Sequence, residues 1–148
     1  MILLCGIPIF LQALIISIDE FYYHYKRGLP KWERIGHPLD SLSILLCWSF
    51  AALKLPSENN IFAFALLCIF SCLFVTKDEF VHARECNGAE HWLHAILFLL
   101  HPICFYALFA LWRAGEFQNV IIIQIGFIFA FMLYQIVFWQ FIKRTQNE

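Results

Sequence analysis

The sequence predicts an all-α integral membrane protein of five transmembrane helices, the first four arranged as two repeated hairpins that form a four-helix bundle. Three observations predict it. The 148 residues are 61% hydrophobic with a mean hydropathy of +0.70, more apolar surface than a soluble domain of this length can hide. The apolar residues fall into five runs separated by short polar segments. A pattern of carboxylates and imidazoles recurs where each of two successive pairs of runs turns around.

The first run, Met1–Tyr23, has no charge through residue 18. Neither a basic leader nor a small-x-small cleavage pattern precedes Asp19, so this run is expected to remain on the chain as span one. The second, Pro38–Leu55, opens on a proline suited to a first helical turn and closes at Leu55-Pro56-Ser57. The third, Asn60–Thr76, follows Asn59-Asn60. The fourth, His91–Trp112, ends before Arg113-Ala114-Gly115, and the fifth is Phe117–Ile142. A bilayer core takes about 20 apolar residues as helix, with about 17 tolerated. Spans two and three are therefore at the short end, and span five has room for tilt or an interfacial turn. Trp92, Trp112 and Trp139 sit near span ends, as interfacial aromatics do. The whole chain, 1–148, reads as one membrane domain, with repeat 1 over about 1–56, repeat 2 over about 57–113 and the extra span over about 117–142.

Charge sets the expected direction. Lys26, Arg27, Lys31, Arg34, Lys77, Arg84, Lys143 and Arg144 fall on one side of a five-span chain, and only Lys54 and Arg113 on the other. The positive-inside rule then places the N-terminus outside and the C-terminus inside, with both polar clusters towards the cytoplasm. The net charge of -1 and the lack of a basic run with interleaved aromatics exclude nucleic acid as an expected partner. Six cysteines form no CxxC pair, and most lie in apolar runs as small hydrophobes. Cys86 alone falls in a polar loop.

The polar pattern carries the chemistry. Its first copy reads Asp19-Glu20-Phe21-Tyr22-Tyr23-His24, then Gly36-His37-Pro38-Leu39-Asp40. Its second reads Asp78-Glu79-Phe80-Val81-His82, then Glu90-His91-Trp92-Leu93-His94. Residues three or four apart share a helix face, so Glu20/His24, His37/Asp40, Glu79/His82 and His91/His94 each form a ligand pair. The two hairpins would be parallel repeats about an axis along the membrane normal. Packed as a bundle, their four pairs converge at one depth. Di-iron and di-manganese carboxylate bundles place Glu and Glu-x-x-His ligands in this way, and Glu79-Phe80-Val81-His82 fits that motif.

Two metal ions are the expected cofactors. Oxygen and imidazole donors suit iron first, with manganese or zinc possible, and the ligand set contains no thiolate. Glu90, Asp19 and Asp78 are expected to orient the ligands or to substitute for one of them, with a plain interfacial anion the favoured alternative for each of the two aspartates. His101, seven residues past His94, lies on the same helix face about 10 Å deeper, where it would line a substrate or proton path. A hydrogen-bonded histidine beside Pro102 is the structural alternative. The placement of the clusters is similar to that in the membrane-bound fatty-acid desaturase and hydroxylase superfamily, which holds two metals with histidine clusters at the cytoplasmic ends of its spans. The adjacent histidine pairs of that superfamily are absent here, so none of its residues is carried over.

The function this predicts is a membrane-embedded di-metal oxidoreductase acting on a lipid or other hydrophobic substrate, with electrons from a separate donor. A zinc hydrolase, with Glu20, Glu79 or Glu90 as general base, is the alternative enzyme. A metal-binding or transport protein is the non-enzymatic one, although the near absence of polar residues beyond His101 disfavours an ion path. No pattern in the sequence specifies an oligomeric state.

Overall fold

A computed structural model describes residues 2–143. Met1, assigned to span one, and Arg144, counted among the tail cations, lie outside the described residues. The described residues are helical, with no strand. The helices are α1 (Leu3–Arg27), α2 (Lys31–Leu53), α3 (Glu58–Glu85), α4 (Gly88–Ala114) and α5 (Gln118–Ile142). Four of them, α1, α3, α4 and α5, are long and apolar enough to cross a membrane, which points to a membrane protein. In α2 the first turns carry Lys31, Glu33 and Arg34, and only the second half is continuously apolar in character.

Local chemistry sets the boundaries. Gly28, with φ of +82°, ends α1 in a conformation that disfavours a side chain. The Ser57 hydroxyl accepts from the Asn60 N–H at 3.4 Å and starts α3. The Asn87 side chain accepts from the N–H groups of Ala89 and Glu90, each at 3.0 Å, and starts α4. Gly115, with φ of +71°, closes α4. One boundary departs from the sequence expectation. Pro38 is not at the start of its helix but well inside α2. A proline there leaves the carbonyl four residues earlier without its helical donor. That carbonyl belongs to Arg34, and the Gln140 side chain of α5 donates to it at 2.9 Å.

The helices pair across the two halves of the chain. α1 lies along α4, and α2 lies along both α3 and α5. The fifth helix is thus part of the packing and not an appendage. An apolar core built on Cys47, Trp48, Phe64, Leu108, Leu111 and Trp112 fills the end where α2 and α4 finish. The last carbonyls of α2 are satisfied there: Trp112 Nε1 donates to Lys54 O and Gln118 Nε2 to Ala52 O, each at 2.6 Å. Large apolar side chains such as Leu3, Phe10, Phe62, Phe70 and Tyr106 face outwards, as lipid would require.

At mid-depth a chain of hydrogen bonds links four helices. Gln12 Nε2 lies 3.0 Å from His101 Nδ1, and His101 Nε2 lies 3.0 Å from the Ser71 hydroxyl. Ser71 meets the Ser43 hydroxyl at 2.8 Å, and Ser43 donates to Asp40 O at 2.8 Å. Both nitrogens of His101 are therefore engaged. The chain ends on a backbone carbonyl, which cannot take up a proton, so the geometry favours the hydrogen-bonded role for His101 over a relay. Ser71→Ala would break two of these bonds inside the bundle. Interhelical hydrogen bonds in membrane proteins are worth about 0.6 kcal/mol, and up to about 1.7. We expect a stability loss of about 1 kcal/mol, read by reversible unfolding in mixed micelles. An unchanged unfolding midpoint would deny the chain its structural role.

At the opposite end from the apolar core, regular winding is interrupted three times. α1 contains a π-helical turn over Asp19–His24, α3 a 3-10 turn over Val75–Asp78, and α5 a π-helical turn over Phe138–Ile142. Such interruptions concentrate at functional sites. Here all three border one polar cluster.

Candidate metal centre

The cluster is built from the ends of α1, α2, α3 and α4. Asp19, Glu20, His24, Glu33, Asp78, His82, Glu90 and His94 are all buried. The π turn explains how α1 supplies three of them. It widens the helix, so that His24 reaches both Glu20, four residues back, and Asp19, five back. His24 Nδ1 lies 3.5 Å from Glu20 Oε2, and His24 Nε2 lies 3.2 Å from Asp19 Oδ2. Asp19 Oδ2 also accepts from His94 Nε2 at 2.9 Å, and Glu90 Oε1 is 3.8 Å from His24 Nε2. His82 Nε2 lies 3.4 Å from Glu33 Oε1. The imidazoles form two stacked pairs, His24 on His37 with centroids 4.7 Å apart and His82 on His94 at 3.9 Å.

Three groups of donor atoms converge tightly enough to hold an ion. They are Glu20/His24/His37, Asp19/His24/Glu90/His94 and His82/Cys86/His94, each with its ligand atoms within 4.8 Å of one another. Burial is complete while hydrogen bonding is not. Both nitrogens of His24 and of His82, Nδ1 of His94, both oxygens of Glu33 and one oxygen each of Asp19 and Asp78 are buried without a hydrogen bond. Several of them lie in ion-pair contacts instead, Glu33 Oε2 3.0 Å from Arg27 and His24 Nε2 3.2 Å from Asp19, and a buried polar atom left unmet costs about 1–3 kcal/mol.

Among the described residues, the carboxylates of Asp19, Glu20, Glu33, Asp40, Asp78 and Glu90 have two lysine or arginine partners, Arg27 and Lys77, and three histidine partners, His24, His82 and His94. Arg27 bridges Glu33 at 3.0 Å and Glu90 at 3.1 Å. Lys77 bridges Asp40 at 2.6 Å and Asp78 at 2.8 Å. The cluster is therefore acid-rich, by at most four charges if every acid were ionised and every imidazole neutral. Burial pushes the Glu33 carboxyl above the ordinary carboxylate range, and Arg27 beside it pulls in the other direction.

The expected ligands divide as follows. Glu20, His24, His37, His82 and His94 are brought together, as are Asp19 and Glu90. Asp40 and Asp78 line the same pocket but are held by Lys77. Glu79 and His91 are not brought in. They pair with each other at 2.7 Å with side chains 46% and 37% exposed. The cause is the 3-10 turn before Glu79. It turns about 120° per residue against about 100° for an α-helix, so four residues rotate the face by most of a quarter turn. Asp78, not Glu79, then points inwards with His82. Gly36 makes room for it: a β-carbon there would lie 3.1 Å from both Asp78 oxygens.

Five contributors lie outside the repeated polar pattern: Glu33, Ser41, Cys86, Gln135 and Trp139. Glu33 sits among basic residues and was passed over with its loop, yet it is fully enclosed. Cys86 lies beside His82 and His94, so a sulfur donor is available where none was expected. Burial and the neighbouring Glu90 push its thiol up, so it stays protonated unless a cation draws the proton off. From α5, Trp139 Nε1 donates a short hydrogen bond to Glu20 Oε1, and Gln135 Nε2 approaches Glu20 Oε2 at 3.5 Å. Ser41 steadies Gln135 through its Oε1 at 2.7 Å. A signal for much of this was present. Glu20/His24, Glu33/His37, Asp78/His82 and Glu90/His94 are all acid-x-x-x-His, once on each of four helices. Compared with known proteins, the chain matches no family, no curated protein and no solved structure.

Proposed function

We propose that this chain is a membrane-embedded di-metal oxidoreductase acting on a hydrophobic substrate. The observation that carries the reading is the convergence of buried imidazole and carboxylate atoms, several without hydrogen bonds, in an acid-rich cluster. A non-overlapping division of ligands gives Glu20, His24 and His37 to one ion and His82, His94 and Cys86 to the other. Asp19, beside both His24 and His94, and Glu90, beside His24, would supply further carboxylate ligands. Nitrogen and oxygen donors with one sulfur favour iron or zinc over magnesium or calcium. Arg27 and Lys77 hold the remaining acids, and Trp139 and Gln135 fix the Glu20 carboxylate, as partners of a metal ligand do.

An iron pair would supply electrons to dioxygen. In a monooxygenation, one oxygen atom enters a C–H bond of the substrate. The other leaves as water, with two electrons from a separate donor and two protons. The protein excludes bulk water from the cluster and holds an apolar cavity beside it. In the five-span reading α2 also crosses, enclosed by α3 and α5. The eight-to-two bias of basic residues then directs the cluster towards the cytoplasm.

Elemental analysis of the protein in lipid nanodiscs tests the centre. The expected result is about two ions per chain, as in carboxylate-bridged bundles. The iron form, once reduced, should change its absorption on exposure to dioxygen. Protein purified under metal-replete conditions that carries no transition metal would end this reading. Zinc alone, unresponsive to dioxygen, would turn it towards hydrolysis.

A further inference from the structure

Beside the polar cluster lies a second, larger space. It has a volume of about 480 Å³, is lined by α1, α2, α4 and α5, and opens to the outside of the bundle past exposed Phe10 and Phe127. Along α1 it runs from Gly6 to Ser17, about 16 Å of helical rise. The far part is walled mostly by apolar groups such as Ile9, Trp48 and Phe105, with Gln124 the polar exception, while Gln12, Ser41 and His101 mark the side towards the cluster. Those three residues also line the polar pocket, so the two spaces meet. Its size falls within the range of about 300–1,000 Å³ typical of small-molecule sites.

The pair of spaces therefore has one polar end and one long apolar end. An amphiphile entering them would place its head at the carboxylate–imidazole cluster and its chain in the chamber. The polar pocket has a volume of only about 120 Å³. It is the smaller of the two spaces and the more polar in its lining residues, about a quarter of the chamber's volume. The acids that line it repel an anionic head, and a cationic head would compete with bound ions for the same carboxylates. Gln12 and Ser41 offer polar contacts to an oxygen at the junction.

Building on the di-metal reading, we propose that the chamber binds a single-chain amphiphile with a small uncharged head, a long-chain alcohol or aldehyde, oriented head-first towards the metal cluster. The reacting carbon is then at or near the head of the molecule and not in the middle of its chain.

A photoreactive long-chain alcohol tests this on the full chain in phosphatidylcholine nanodiscs, with metal loaded and after chelation. With a diazirine at the tail, crosslinks are expected at Gly6, Ile9 and Phe105. Moving the diazirine next to the head should shift them to Ser41 and His101. Excess unlabelled long-chain alcohol should reduce labelling at least tenfold, and added phospholipid should not. Crosslinks confined to lipid-facing Leu3, Phe62 and Phe70 would overturn the proposal. So would displacement by phospholipid, which would make the occupant a bilayer chain, or the reverse order of labelling. Ala13→Trp, which fills the chamber, should abolish chamber labelling. If that variant does not fold, the mapping on the unaltered chain decides alone. Chamber labelling in a protein that takes up no metal would leave this site standing and remove the di-metal reading. Two bound ions without chamber labelling would do the opposite.

Discussion

His24→Ala is expected to lower the metal content from about two ions per chain to one or fewer, and to weaken what remains by about 100-fold or more. The residue has a special place in the cluster. Its Nδ1 faces Glu20 and its Nε2 faces Asp19 and Glu90, so it belongs to two of the three converging donor groups. Loss of a group that merely supports a ligand typically costs 10–100-fold in affinity. Loss of a ligand facing two sets should exceed that. Elemental analysis and metal titration read the effect, and His91→Ala supplies the contrast. His91 carries the same chemistry four residues after Asn87 but pairs with Glu79 at the surface. Its replacement should leave the metal content unchanged. Equal losses from the two variants, or none from His24→Ala, would mean that the buried imidazoles hold no metal.

The contrast between His24 and His91 also shows what sequence spacing can and cannot carry. The helices themselves were legible. Apolar runs with capping residues between them located three of the four long spans to within about four residues, because burial in lipid constrains composition over about 20 positions at once, while α3 runs on past the expected Thr76 to Glu85. The end of each run was a less certain matter. Pro38 looked like a helix start because the proline ring suits a first turn. The actual start lies seven residues earlier, at Lys31, and is tolerated because Gln140, on a different helix, satisfies the Arg34 carbonyl. No local rule contains that contact.

The candidate site was legible in kind and partly in membership. That acids and imidazoles gather at one end of the helices follows from where they stand relative to the apolar runs. Which of two adjacent acids faces inwards does not. Asp78 and Glu79 differ by one position, and a short overwound stretch chooses between them. The π turn at Asp19–His24 acts in the other direction and brings in two acids where regular spacing offered one. Glu33 was hidden by its neighbours Lys31 and Arg34, which read as determinants of topology. Cys86 reaches the cluster because α3 ends at Glu85 and α4 begins at Gly88, which folds the loop back over His82 and His94. These placements depend on tertiary geometry, which spacing alone does not encode.

Arg27→Met should be the most destabilising single change at the cluster in protein stripped of metal. Arg27 holds Glu33 at 3.0 Å and Glu90 at 3.1 Å, and both carboxylates are almost completely enclosed. Removing one partner of a buried ion pair costs about 3–5 kcal/mol, because the charge left behind has lost its water and its counter-charge. Methionine keeps much of the length and apolar bulk of the side chain, so packing loss is small and the deficit is electrostatic. Two further measurements separate that cause from a general loss of fold. Adding Glu33→Gln should return part of the lost stability, since it removes one of the stranded charges. The double-mutant cycle should then show coupling of at least 1 kcal/mol, above the additivity limits of distant sites. Saturating divalent metal should also stabilise Arg27→Met, and by more than it stabilises the unaltered chain, because the ions and the guanidinium neutralise the same carboxylates. A variant that unfolds at the same denaturant concentration as the parent, with or without metal, would show that Glu33 and Glu90 do not depend on Arg27. A variant rescued by Glu33→Gln but indifferent to metal would place the cations elsewhere. Rescue by both is the outcome required if the six carboxylates, the two fixed cations and the bound ions form one charge-balanced unit.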